Sequence, residues 1–170
     1  MSANQEKIMQ YVNTGEVRSG DDKTILNSGA IGSCVVITAF DPVMSVGAMA
    51  HVMLPGSMQF KNQSQSTIYA ANAIDEMLSQ LEKIGTRKEN IEICVVGGAN
   101  VLKREKDSVG KENMDSVEKL LHEKQLEIKA KATGGFERRT VLFDIAKGRI
   151  YFTVGDSTQK ILWQTMGYQK

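Results

Sequence analysis

Val35-Val36-Ile37-Thr38-Ala39-Phe40 runs into Asp41-Pro42 and is answered by Val46-Gly47-Ala48-Met49-Ala50-His51-Val52-Met53-Leu54, closed by Pro55-Gly56. The first run is continuously β-branched, aromatic or small and apolar, the pattern of a strand buried on both faces. Asp-Pro marks a turn. The second run is therefore predicted to return beside the first as its hairpin partner or neighbour. A sheet built on this pair sets the fold.

Upstream, Thr24-Ile25-Leu26 reads as a brief strand leading into a glycine-punctuated loop, Ser28-Gly29-Ala30-Ile31-Gly32-Ser33-Cys34. Ile8, Met9, Tyr11 and Val12 suit a short strand or a helical turn, and Gly15, Gly20 and Asp21-Asp22 mark turns. Downstream, 58–65 is a polar loop. Ser66 suits an N-cap for a helix over 66–84, whose apolar residues Ala70, Ala71, Ile74, Met77, Leu78, Leu81 and Ile84 recur at helical spacing, with Gly85 as its stop. Residues 91–96 form a strand ended by Gly97-Gly98, with room there for close backbone approach. A charged loop covers 103–111. A second amphipathic helix over 113–125 turns Met114, Val117, Leu120 and Leu121 inward. A short strand at 128–132 is followed by the turn Thr133-Gly134-Gly135. Strands at 140–145 and 149–154 flank Ala146-Lys147-Gly148 as a hairpin. One apolar patch, Ile161-Leu162-Trp163, remains in the tail. The expectation is a single α+β domain over 1–170, with a mixed β-sheet core and two long amphipathic helices packed on its faces.

Composition narrows the function classes. The 170 residues are 41% hydrophobic, enough for one core, and 24% charged with a net charge of +1. That balance gives no reason to expect nucleic acid or an anionic membrane as partner. No apolar run approaches the roughly 20 residues that span a bilayer, and no signal-peptide pattern follows the polar first residues. Two cysteines without a framework suggest free thiols in a reducing cytoplasm. Without a CxxC, an HExxH or a histidine cluster, no metal site and no cofactor are expected.

Two cysteines and two histidines allow few pairings. Cys94 lies in Ile93-Cys94-Val95-Val96 and reads as a small buried hydrophobe. His122 groups with Glu118 and Gln125 on the solvated face of the second helix. Cys34 ends the glycine loop, where backbone amides can face outward. By pattern alone it either opens the core strand or serves as a nucleophile. His51 is a core histidine or a base held rigidly over the loop. A nucleotide-binding loop does not fit: the glycine patterns are absent and a strand, not a helix, follows.

Gly32-Ser33-Cys34, the β-rich run, Asp41-Pro42 and Gly47-Ala48-Met49-Ala50-His51-Val52-Met53-Leu54-Pro55 together resemble the chemoreceptor glutamine deamidases, the CheD family. The resemblance continues through Gly97-Gly98-Ala99, Val109-Gly110-Lys111-Glu112-Asn113, Thr133-Gly134-Gly135 and Arg139. It implies a cytoplasmic, cysteine-hydrolase-like enzyme without a cofactor. Such an enzyme converts particular glutamine side chains on the cytoplasmic helices of chemotaxis receptors to glutamate, and some members also hydrolyse glutamyl methyl esters. It implies Cys34 as nucleophile, His51 as base, and Ser28, where the family usually has threonine, as the hydroxyl that accepts the other imidazole N–H. Backbone amides of the loop, at Gly32 and Ser33, are the expected oxyanion donors. A CheC-type phosphatase is the implied second partner. The competing expectation is a non-catalytic adaptor or regulator of that phosphatase.

Overall fold

The computed structural model describes residues 6–58 and 65–167. Its centre is the predicted pair: β4 (Val35–Asp41) and β5 (Val46–Val52) run antiparallel, with Val36 opposite His51, and every residue of both is buried. β5 also pairs with β2 (Val17–Gly20). β4 pairs on its other side with β6 (Glu92–Gly97), which lies parallel to β7 (Ile128–Thr133). The first sheet therefore reads β2-β5-β4-β6-β7.

A second five-stranded sheet covers one face of the first. It comprises β1 (Ile8–Tyr11), β3 (Thr24–Ile31), β8 (Arg139–Asp144), β9 (Arg149–Val154) and β10 (Lys160–Gln164), in the order β1-β3-β8-β9-β10. The 140–145 and 149–154 strands pair as the predicted hairpin, and the tail patch lies on β10. Alternation along the central strands fixes what each layer buries. Val36, Phe40, Met49, Cys94 and Val96 face Leu26, Ile31, Val141, Phe143 and Ile150 of the second sheet. Val35, Ile37, Ala39, Ala48 and Ala50 face the helices.

Those helices are α1 (Ala70–Ile84) and α2 (Val109–Glu123). The sequence places them on the faces of a single mixed sheet. In the structure both cover one face of the first sheet, and the other face belongs to the second sheet. α1 buries Ala70, Ala73, Ile74, Met77 and Leu81, an apolar stripe at helical spacing. Its first free amides are capped by backbone rather than by Ser66: Ala70 N–H donates to the Leu54 carbonyl and Ala71 N–H to the Gly56 carbonyl, each at 2.9 Å. Ser66 instead opens a short 3-10 turn over Ser66–Ile68. Gly85, at φ 109°, ends α1 as expected. α2 starts four residues before its expected position and includes Gly110, which packs directly on Gly98. A Cβ at Gly110 would lie 2.6 Å from the Gly98 carbonyl oxygen. Most of the 58–65 loop lies outside the described residues. Among the described residues, no helix is long and apolar enough to cross a membrane.

Candidate functional site

The loop ending at Cys34 is shorter than the sequence suggests. β3 runs on through Ile31, so Ser28, Gly29 and Ala30 are strand residues. The β3–β8 ladder is broken by a bulge between Asn27 and Ala30, where Gly29 takes φ 64°. Only residues 32–34 turn between the two sheets. Three successive carbonyls of that turn are held. Gly32 accepts from Ala99 N–H at 3.0 Å and Cys34 from Gly98 N–H at 2.9 Å. Ser33 accepts from Asn113 Nδ2 at 3.0 Å. Gly97, at φ 125°, is needed for this approach: a Cβ there would stand 2.2 Å from the Cys34 carbonyl oxygen.

Register brings Cys34 and His51 to the same face. Val36 is directly opposite His51. Cys34, two residues before Val36, is therefore the diagonal neighbour of His51, a separation of roughly 7–8 Å between backbones that side chains can span. Both face the second sheet, and Cys34 packs against its core. Cys34 is partly exposed, whereas His51 is 3% exposed behind it.

The imidazole is oriented by backbone. Nδ1 lies 2.9 Å from the Val12 carbonyl oxygen. A carbonyl only accepts, so Nδ1 carries the proton and Nε2 is left with its lone pair. The residues after β1 are tied to both sheets. Val12 N–H donates to the Asn27 carbonyl at 2.8 Å, Gly15 N–H to the His51 carbonyl at 2.8 Å, and His51 N–H to the Glu16 carbonyl at 3.0 Å. This crossover also brings Thr14 to the Cys34 thiol as a side-chain hydrogen-bond partner.

Ser28 is not the residue that holds the imidazole. It shares the inward face of β3 with Thr24 and Leu26, but its hydroxyl donates to the Gly29 carbonyl at 2.7 Å and accepts from Val141 N–H at 2.9 Å. The bulge interrupts the backbone ladder there, and the hydroxyl takes the Val141 amide in its place. The Val12 carbonyl fills the orienting position expected of Ser28. No sequence pattern marks a backbone oxygen. Asn113 did leave a signal: it lies four and eight residues before Val117 and Leu121, a polar residue on the apolar face of α2. Cys94 and His122 lie where the sequence puts them, Cys94 in the interlayer core and His122 on the exposed face of α2.

Burial pushes the Cys34 thiol above its ordinary value, against the hydrogen bond from Thr14, which lowers it. Burial also pushes the His51 imidazole down, against the Val12 carbonyl and the charge of Glu16. Both shifts act the same way, disfavouring the thiolate of Cys34 and the imidazolium of His51. Cys94 is pushed up to about 12, chiefly by burial, and is inert. The thiol opens onto a cleft of about 350 Å³ lined by Gly32, Ser33, Cys34, Ala99, Val101, Leu102 and Arg138, among others. Among the described residues, no three His, Cys, Asp or Glu side chains gather as a metal site. A partly exposed thiol, a buried base with a free lone pair and adjacent backbone amides are the parts for acyl transfer through a thioester.

The family model described as CheD chemotactic sensory transduction matches residues 53–153, beginning two residues beyond His51. A protein of Chlorobium luteolum is 37% identical over 150 residues, covering 88% of this chain and 75% of its own. One of Clostridium kluyveri is 34% identical over 136 residues, covering 77% and 84%. One of Clostridium botulinum strain Hall is 30% identical over 155 residues, covering 88% and 96%. Each bears the name "probable chemoreceptor glutamine deamidase CheD".

Proposed function

Because the chain belongs to the CheD family, we propose that it is a protein-glutamine glutaminase that converts glutamine side chains on chemotaxis receptors to glutamate. Cys34 is the nucleophile and His51 the general base. The observation that carries this reading is the diagonal placement of Cys34 and His51 on one face of the β4–β5 pair, with Nε2 left as acceptor by the Nδ1–Val12 bond.

The substrate amide enters the cleft beside Cys34. His51 Nε2 takes the thiol proton as Sγ attacks the amide carbon. The oxyanion is met by backbone N–H groups of the 32–34 turn, those of Gly32 and Ser33 with that of Cys34 beside them. The imidazolium returns its proton to the departing nitrogen and ammonia leaves. His51 then deprotonates a water that attacks the thioester, releasing glutamate and the thiol. The same acyl steps accept a glutamyl methyl ester, with methanol as leaving group. No step requires a metal or cofactor. The turn and bulge hold Gly32, Ser33 and Ser28 in supporting positions, with the Ser28 hydroxyl keeping β3 on β8. The reading extends to a single domain of the CheD type working in the cytoplasm, and to a CheC-type phosphatase as second partner on the family resemblance alone.

The decisive experiment incubates the protein with a purified cytoplasmic fragment of a chemotaxis receptor and reads glutamine-to-glutamate conversion by peptide mass spectrometry. The parent should convert particular glutamines, and Cys34→Ala should convert none while keeping the parent's thermal midpoint. Equal conversion by both would remove Cys34 from the mechanism. Receptor or phosphatase binding without conversion by the parent would favour the adaptor reading.

A further inference from the structure

We propose that Asn113 is a positioning residue for the reaction, its side-chain amide holding the Ser33–Cys34 peptide so that the Cys34 N–H is turned to the cleft as oxyanion donor. This rests on the reading of Cys34 as nucleophile. Asn113 is fully buried on the inner face of α2. Its Nδ2 donates twice, to the Ser33 carbonyl and to the Met53 carbonyl, each at 3.0 Å. Ser33 immediately precedes the nucleophile, and Met53 follows the base by two residues. Val35 and Val52 form the last rung of the β4–β5 ladder. One amide therefore bridges both chains where they leave the sheet at the site.

Two points set this apart from ordinary packing. First, Asn113 Oδ1 is buried without a hydrogen-bond partner among the described residues. Such an orphan costs stability. Met114, Val117 and Leu121 already seat α2 on the sheet, so the amide is not needed to attach the helix. Second, the Ser33–Cys34 peptide is trans, as all described peptides are. Its C=O and N–H point to opposite sides. Fixing the carbonyl onto α2 fixes the direction of the Cys34 N–H. The Cys34 carbonyl is independently held by Gly98 N–H at 2.9 Å, so Asn113 sets the one peptide plane that the β6 contact does not.

The test separates the oxyanion from the thiol. Alkylation by iodoacetamide is a direct displacement at carbon and builds no oxyanion, whereas deamidation must. For Asn113→Ala, kcat on the receptor fragment should fall about 100-fold with KM within about threefold, the scale for a misplaced oxyanion donor. The rate and pH profile of Cys34 alkylation should match the parent's. Asn113→Leu, which is close in size and has no donor, should behave like Asn113→Ala. An unchanged kcat in either variant, or alkylation that falls in step with kcat, overturns the proposal. If the variants do not fold, the parent decides. A peptide carrying a γ-aldehyde in place of the glutamine amide adds the Cys34 thiol as a hemithioacetal and presents an oxygen to the same donors. The 15N-labelled Cys34 amide proton should move downfield on its addition, and no movement overturns the proposal. Turnover by Cys34→Ala would instead defeat the underlying reading, whatever Asn113 does.

Discussion

Burial acts on Cys34 and His51 to one electrical end: it raises the thiol, lowers the imidazole, and so disfavours the charged form of each. A thiol held up ionises later than an ordinary cysteine as pH rises. The rate of Cys34 alkylation should therefore keep climbing beyond the ordinary thiol value of about 8.5. Thr14 works in the opposite direction, so Thr14→Val should move the profile further toward alkali and slow alkylation at pH 8. Thr14→Ser should restore it. Peptide-resolved mass spectrometry reads both, with Cys94 as the unreactive internal reference. A profile unmoved by Thr14→Val would show that the hydroxyl does not serve the thiolate. The sequence pattern singled out Cys34 and His51, and register brings the two to one face of the β4–β5 pair. Val12 was not, because it acts through a carbonyl oxygen that every residue carries. Ser28 misled because a hydroxyl at the expected spacing can serve a bulge as readily as an imidazole.

Among the elements, the central strands were legible because their apolar runs are continuous and turn-bounded. β2 was missed: Val17-Arg18-Ser19-Gly20 is four residues of mixed polarity, a strand only because the hydrogen-bonding edge of β5 offers a ladder. β3 was cut short because Ser28, Gly29 and Ala30 are weak strand formers, and the bulge that accommodates them depends on β8, more than 100 residues away in sequence. The end of β6 carries the element-scale prediction. Gly97 combines φ 125° with a Cβ position 2.2 Å from the Cys34 carbonyl. Gly97→Ala should displace the Cys34 backbone and reduce deamidation by roughly 100-fold, the cost of about 1 Å of misplacement. Gly134→Ala has positive φ but open space around it and should leave the rate within a few-fold. Comparable rates for the two variants would show that the β6 contact does not govern the nucleophile.

At the scale of the molecule, the first sheet is the middle of three layers, and the interlayer core between the two sheets also backs Cys34. Phe40 and Phe143 meet there edge-to-face, with ring centroids 5.6 Å apart and planes at 89°. Phe143 fills the space against Gly47, where a Cβ would come within 2.4 Å of its ring. Phe143→Ala should cost about 3–5 kcal/mol, measured by denaturant unfolding. A loss below about 1 kcal/mol would mean that the layers are held chiefly elsewhere. This arrangement was not legible in the sequence. Alternation tells which residues face inward, but not whether a helix or a second sheet lies opposite, and strand order is decided by pairings far apart in the chain.

The crossover from β1 to β2 binds Val12 to one sheet and Gly15 to the other. β1 is an edge strand paired only with β3, and Ile8, Met9 and Tyr11 on it are exposed. The imidazole thus takes its orientation from a carbonyl that directly follows an edge strand. Inactivation should precede denaturation: peeling away the first strand with Val12 releases His51 at the edge of the interlayer core while the helix-side core stays intact, and the protein falls silent before it melts.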